Sequence, residues 1–258
     1  MLRIRVIPCL LLHNGGLVKT VRFRRPTYVG DPINAIKIFN DKEVDELALI
    51  DIDASRQGRG PDFALLERVN KEAFMPLACG GGIRTPDHVR RVLGLGYEKV
   101  ILDSVVLGEP GSVEAASAAC GSQSVVVCID TKRDLFGRLR VYDHLRRRCT
   151  RLGPGEYARL AQARGAGEVI VYSVDSEGTF QGYDVKAVRE VSDAVTVPVV
   201  ALGGAGKLQD FADVVRDGGA TAVAAGSFFV FHGPHRAVLI TYPERQELER
   251  VFGEGRGE

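Results

Sequence analysis

The 258-residue chain has no tryptophan, two methionines and no apolar run near the roughly 18 residues a membrane-spanning helix needs. Arg3 and Arg5 interrupt the apolar N-terminal stretch, so a signal peptide is not expected either. A dominant charge is also missing: 34 Lys and Arg against 33 Asp and Glu leave a formal net charge of +1. That balance gives no general field for a nucleic acid or a membrane surface, and neither is expected as a partner. The five cysteines (Cys9, Cys79, Cys120, Cys128 and Cys149) are odd in number and form no CxxC pair. They suggest neither a disulfide framework nor a zinc site. Cys9, Cys79 and Cys128 fall in or beside apolar strands, where a reduced cysteine packs as a small hydrophobe. No metal or organic cofactor is expected, and the chain reads as cytoplasmic. Linkers and low-complexity segments are absent; only residues 253–258, rich in glycine and charge, read as a flexible tail.

What is present is a repetition. Glu46-Leu-Ala-Leu-Ile-Asp-Ile-Asp53 recurs 122 residues later as Glu168-Val-Ile-Val-Tyr-Ser-Val-Asp175. Gly60 and Asp62 recur as Gly182 and Asp184, Pro76 as Pro198, and Gly81-Gly82 as Gly203-Gly204. The register then slips by one, so Gly96 answers to Gly219 and Ser104 to Ser227. Each copy reads as strand, glycine-containing loop, helix, strand and glycine turn. Half a sheet built this way cannot cover itself, so two halves must close on each other. The prediction is an α/β fold, a single (βα)8 TIM barrel of two similar half-barrels, about 1–122 and 123–245. The length agrees with the roughly 250 residues typical of such barrels.

Eight apolar runs supply the strands, at about 4–9, 47–52, 75–79, 99–102, 124–129, 168–174, 197–202 and 221–225. Most are apolar throughout, as parallel strands covered by helices require. Asp31-Pro32 opens a helix expected to reach Asp45, since proline at the first helical position after an aspartate cap is a standard start. Pro86 opens another, stopped by Gly94 and Gly96. Two long loops are expected, at 15–30 and 131–153, the second with a hairpin around Gly137. Loops that follow strands line the catalytic face of such barrels.

Gly80-Gly-Gly-Ile-Arg84 and Gly203-Gly-Ala-Gly-Lys207 each follow a strand and lead into a helix. Bare glycine backbone lets N–H groups approach an anion, which makes two phosphate sites, completed by Asp103-Ser104 and Ala225-Gly-Ser227. The competing reading is that the glycines only allow tight turns. Asp51, Asp53, Asp130 and Asp175 end strands at the same mouth, placed for acid–base work or for capping the next helix. Arg5, Glu46, Lys99 and Glu168 lie at the opposite strand ends and make a ring at the bottom; on charge alone it is a salt-bridge plug. A basic cluster, Arg146-Arg-Arg-Cys-Thr-Arg151 with Lys132, Arg133, Arg138 and Arg140, suits an anionic small molecule better than a duplex.

Together these residues resemble the cyclase subunit of imidazole glycerol phosphate synthase, from about Met1 to Ile240. The resemblance rests on Arg5-Val-Ile-Pro-Cys-Leu10, Gly30-Asp-Pro32, Gly80-Gly-Gly-Ile83, Ile129-Asp-Thr-Lys132, Gly165-Ala-Gly-Glu168, Gly182-Tyr-Asp184 and the second glycine turn. It implies a glutaminase partner at the bottom of the barrel, with Arg5, Glu46, Lys99 and Glu168 as an ammonia gate. Ammonia then crosses the barrel core to a phosphorylated small molecule at the top. The implied phosphate and substrate positions are Lys19, Asp51, Gly82, Ser104, Glu177, Gly178, Gly203, Gly204, Gly226 and Ser227, and the implied catalytic residue is Asp130.

The departures lie at the top. The family's first catalytic aspartate falls at Leu11, which cannot move a proton; His13, two residues on, is a candidate substitute. The family's Asn-Thr phosphate pair is Asp103-Ser104, its aspartate before Gly178 is Glu177, and Tyr172 replaces a smaller polar residue. Phe228 to Val238 resembles a divergent branch associated with acetamidino sugars of bacterial surface polysaccharides, where a separate amidotransferase acts. The leading expectation is an ammonia-delivering subunit with altered or lost cyclase chemistry. A genuine cyclase of histidine biosynthesis is the alternative.

Overall fold

Short valine-, isoleucine- and alanine-rich strands, separated by helices with side-chain caps, close into a ring. The computed structural model describes residues 3–109, 111–233 and 235–254. The first four barrel strands are β1 (Arg5–His13), β4 (Leu47–Asp51), β5 (Leu77–Gly80) and β6 (Lys99–Leu102). Between β1 and β4 lie the hairpin strands β2 (Gly16–Val21) and β3 (Arg24–Gly30) and helix α1 (Pro32–Asp41). Helices α2 (Phe63–Glu72), α3 (Pro86–Gly94), α4 (Ser104–Gly108) and α5 (Ser112–Cys120) complete this part. The remaining barrel strands are β7 (Val125–Arg133), β10 (Glu168–Ser173), β11 (Val199–Leu202) and β12 (Ala222–Ala225). With them come the short strands β8 (Leu139–Asp143) and β9 (Arg148–Cys149) and helices α6 (Pro154–Ala163), α7 (Val185–Ser192), α8 (Leu208–Arg216) and α9 (Ser227–Val230). A small ladder of β13 (Phe231–His232) with β14 (Ala237–Val238) and helix α10 (Arg245–Glu254) follow.

The eight parallel strands pair in the order β1–β4–β5–β6–β7–β10–β11–β12, and β12 returns to β1. The result is a (βα)8 barrel. Strand alternation divides its apolar side chains into two cores. Along β1, Val6, Leu10 and Leu12 join the core beneath the helices, while Ile7, Cys9 and Leu11 fill the barrel interior. β7 does the same with Val125, Val127 and Ile129 outside and Val126 and Cys128 inside. Asp31, Asp62, Thr85 and Asp184 cap α1, α2, α3 and α7 by accepting a backbone N–H three residues on. No helix among the described residues is long and apolar enough to cross a membrane.

Several boundaries differ from the sequence reading. Helix α1 ends at Asp41, not Asp45; Glu43 turns the chain at φ 51°, and the Asp45 carboxylate accepts the Val6 N–H at 3.0 Å. The expected loop 15–30 is a β-hairpin. β1 runs to His13 because it pairs antiparallel with β2, and β7 runs to Arg133 because it pairs with β8. The turn at Gly137 falls where expected. Gly253 and Glu254 continue α10, where a flexible tail was expected from 253; 255–258 lie outside the described residues.

Candidate functional site

Strand parity decides which side chains meet inside the ring. At the bottom, Arg5 donates to Glu46 and Glu168, and Lys99 Nζ lies 3.0 Å from Glu46 Oε2 and 2.9 Å from Glu168 Oε2. All four point inward from the first positions of their strands, or from the residue just before. Glu46 and Glu168 are buried, so each carboxylate needs the cations beside it. Above the ring, the interior is apolar and narrow. A small cavity there is lined by both glutamates and by Ile7, Cys9, Ala48, Ala78, Val126 and Ala224, with alanines where larger side chains would close it.

The top opens into a cleft whose empty space, including the part open to solvent, is about 970 Å³. Leu11, Ile101, Cys128 and Tyr172 form its floor, and Asp103, Asp130 and His144 form one wall. Asp130 is 2% exposed. His144, which follows β8, places Nδ1 2.9 Å from Asp130 Oδ2 and 3.2 Å from Asp103 Oδ2. Burial first, and then the Asp103 charge, push the Asp130 carboxyl up to about 7 against the pull of His144 and Arg56. Burial works against the His144 imidazolium, but Asp103 and Asp130 outweigh it and raise the ring to about 11. His144 is therefore a cation at neutral pH, held between two acids, and Asp130 keeps its proton well above the usual carboxylate range. Such a group can hold or pass a proton at the cleft wall.

Asp103, Cys128 and Asp130 bring candidate ligand atoms within 4.8 Å of one another. Burial and both aspartates push the Cys128 thiol well above its ordinary value, whereas a metal binds the thiolate. The His144 cation already faces the two carboxylates. The donor set fits a protonated histidine better than a metal ion.

The two hairpins build the rest of the mouth. Asp53 accepts the Asn14 N–H and faces His13 Nδ1, both at 2.8 Å. Its repeat partner Asp175 accepts the Arg133 N–H at 2.9 Å. Both aspartates tie down the base of a hairpin. His13, the candidate substitute at the Leu11 gap, has Nδ1 engaged by Asp53. Asp51 directs Oδ1 to the N–H groups of Asp53 and Ala54 and Oδ2 to Arg59 at 2.7 Å. Glu177, expected to face substrate, is buried on the lining of the smaller pocket that also holds Lys19, and its carboxylate accepts from the Thr20 hydroxyl and the Phe23 N–H. It clamps the first hairpin so that Phe23 packs edge-on against Tyr172, ring centroids 4.8 Å apart, over the barrel axis.

A second, smaller pocket lies beside this lid. Lys19, 3% exposed, reaches from β2 to donate to the Cys9 carbonyl at 2.6 Å, and burial pulls its ammonium below its ordinary value. Gly178, Gly203, Gly204, Gly226 and Ser227 line the same pocket. Gly204 sits at φ 113°, and a side chain there would run into the Gly182 carbonyl. Gly82 lies on the larger cleft with Ser104. The structure thus brings Lys19 together with the second glycine turn, and Gly82 and Ser104 with Asp130. The basic cluster does not converge on the cleft: Arg146 pairs with Asp143, Arg133 with Asp184, and Arg138 with Asp134. From that hairpin it is His144 that reaches the cleft wall, a residue the sequence reading missed. A lone histidine after a strand carries no spacing signal that would reveal it.

Comparison with known proteins follows the same lines. A family model described as "Histidine biosynthesis protein" matches residues 5–234. The chain is 44% identical over 253 residues, 98% of this chain and all of the relative, to a protein of Leptospira interrogans provisionally named imidazole glycerol phosphate synthase subunit HisF. It is 47% identical over 249 residues, 96% of this chain and 99% of the relative, to one of Pseudomonas aeruginosa provisionally named subunit hisF2. The imidazole glycerol phosphate synthase subunit HisF of Hyphomonas neptunium is 41% identical over 231 residues, 90% of this chain and 91% of that one.

Proposed function

Because this chain belongs to the histidine biosynthesis protein family, among the HisF-like subunits of imidazole glycerol phosphate synthase, we propose that it is an ammonia-conducting barrel whose cyclase chemistry is altered or lost. In this reading a glutaminase subunit docks at the bottom face. Ammonia passes Arg5, Glu46, Lys99 and Glu168 and climbs the barrel interior. The apolar lining suits the neutral molecule, since an ammonium ion would lose its hydration there with no partner. The acceptor is a surface-glycan sugar, amidinated by a separate amidotransferase at the top face, as the resemblance of Phe228 to Val238 implies.

The observation that carries the proposal is the contrast between the two ends. The complete four-residue ring stands at the bottom, while Leu11, 4% exposed, fills the top of β1 where an acid–base group would face the cleft. Such groups are worth about 10²–10⁴ in rate. The numbered name hisF2 of the Pseudomonas relative fits a second copy of the subunit. A steady-state cyclase assay with the phosphoribulosyl ribotide and saturating ammonium salt at high pH tests the reading, since excess ammonia removes the need for the glutaminase. No turnover is expected, with some gained by Leu11→Asp. Turnover by the unaltered chain that Asp130→Asn abolishes would overturn it.

The second reading, a working cyclase of histidine biosynthesis, draws on His144. An imidazolium bonded to Asp130 could make the proton transfer that Leu11 cannot. The same assay decides between the two.

A further inference from the structure

The glycine turns of the two halves are not equivalent electrostatically, and the difference bears on what the mouth can bind. Asp103 and Gly226 occupy corresponding places. Each follows a four-residue strand, β6 or β12, and precedes a short helix opened by serine, Ser104 or Ser227. Their backbones match, with φ −138° and ψ −94° at Asp103 against φ −109° and ψ −73° at Gly226. Each faces a cation delivered by the hairpin of the neighbouring strand: Lys19 after β1, His144 after β7.

The partner of that cation differs. In the second half, a Cβ at Gly226 would come 2.6 Å from Lys19 Nζ, so the missing side chain is what leaves room for the ammonium. Lys19 uses one N–H on the Cys9 carbonyl and lines the pocket with Gly203, Gly204, Ser227 and Glu177, whose carboxylate is already taken by the Thr20 hydroxyl and the Phe23 N–H. In the first half the carboxylate of Asp103 stands at the same point and lies 3.2 Å from His144 Nδ1. Asp130 takes the rest of that imidazolium's charge. The protein's own carboxylate fills the place an incoming anion would take, and a second anion would meet two acids with His144 already engaged and only the solvent-exposed Arg56 beside them on the cleft lining.

We propose that the mouth binds a ligand carrying a single phosphate, seated against Lys19 in the second-half pocket. Asp103 and His144 close the first-half pocket to phosphate and reserve it for an uncharged, hydroxyl-bearing end such as that of a sugar monophosphate. Asp103 and Asp130 then act as acceptors for those hydroxyls, beside the backbone of Gly82. Asp103 is thus a specificity-determining residue. This rests on the top face having left bisphosphate chemistry, and not on the passage of ammonia below it.

Calorimetric titration of the purified full chain with inorganic phosphate, ribose 5-phosphate and ribulose 1,5-bisphosphate tests the proposal. One phosphate per chain is expected, and the bisphosphate should bind within about threefold of the monophosphate. Asp103→Asn should admit a second phosphate and favour the bisphosphate at least tenfold. The reciprocal Gly226→Asp, which copies the first-half arrangement against Lys19, should abolish phosphate binding; circular dichroism confirms that both variants fold. Two phosphates on the unaltered chain, or a bisphosphate preference that Asp103→Asn leaves unchanged, overturns the proposal. No phosphate binding at all overturns it too. Neither result touches the ammonia reading, which is decided at the bottom ring and by the cyclase assay.

Discussion

His144 and Asp130, fourteen residues apart in the chain, meet at 2.9 Å in the barrel mouth, with the imidazolium drawn between Asp130 and the more exposed Asp103. The contact fixes the second hairpin over the cleft and neutralises part of a buried acid pair.

Removing that cation should cost stability. His144→Gln leaves Asp103 and Asp130 facing each other, and breaking a buried pair by deleting one partner costs about 3–5 kcal/mol, here near the lower end because Asp103 is part-exposed. Urea denaturation at pH 7.5 measures the loss. Adding Asp103→Asn to the same chain should recover most of it; a double variant as weak as the single would locate the effect in packing.

The pH dependence has a definite sign. His144 is raised from 6.5 to about 11, so its contribution is full below pH 6.5 and is lost as pH rises toward 11. Asp130 is raised from 3.8 to about 7, so the folded state holds its proton more tightly, and that contribution fades between those values as pH rises. Both push the same way: this cluster favours the folded state less at each step from pH 4 to pH 11. Melting curves of the unaltered chain and of His144→Gln across that range should converge at the alkaline end.

The bottom ring should behave as one unit. Arg5→Leu leaves Glu46 and Glu168 with Lys99 as their remaining partner in the ring, and a destabilisation of about 2–3 kcal/mol is expected, the upper part of the buried-pair range being discounted because Arg5 is 30% exposed. Arg5→Lys should retain most of the stability. A double-mutant cycle of Arg5 with Glu168 should show coupling, and strict additivity would show that the ring is not a unit.

Phe23 should hold the first hairpin as a lid. Phe23→Ala removes the edge-on contact with Tyr172, worth about 0.5–1.5 kcal/mol beyond burial. Amide exchange in residues 16–30 should quicken while the barrel strands stay protected. Uniform protection would mean that Glu177 and Thr20 alone secure the hairpin.

Gly204→Ala should be costly. At φ 113° an L-residue is strained by about 1–3 kcal/mol, and its methyl would meet the Gly182 carbonyl. Thermal denaturation reads the loss; Gly94→Ala, in open space on α3, serves as the neutral control.

The sequence by itself determined the barrel, its eight strands and the bottom ring. These follow from short-range rules: apolar runs bounded by glycine and capping residues, a repeat that sets the closure, and an alternation of two that turns Arg5, Glu46, Lys99 and Glu168 to one side. It also marked Asp130 and the vacancy at Leu11. Only the tertiary structure decided what surrounds Asp130. His144 reaches Asp103 across 41 residues, Lys19 reaches the turn at Gly226 across 207, and Glu177 clamps a hairpin 157 residues away. No period or spacing encodes such contacts. They depend on how far a hairpin bends over the ring, and that is set by the packing of Phe23, Tyr172 and the buried acids once the barrel has closed.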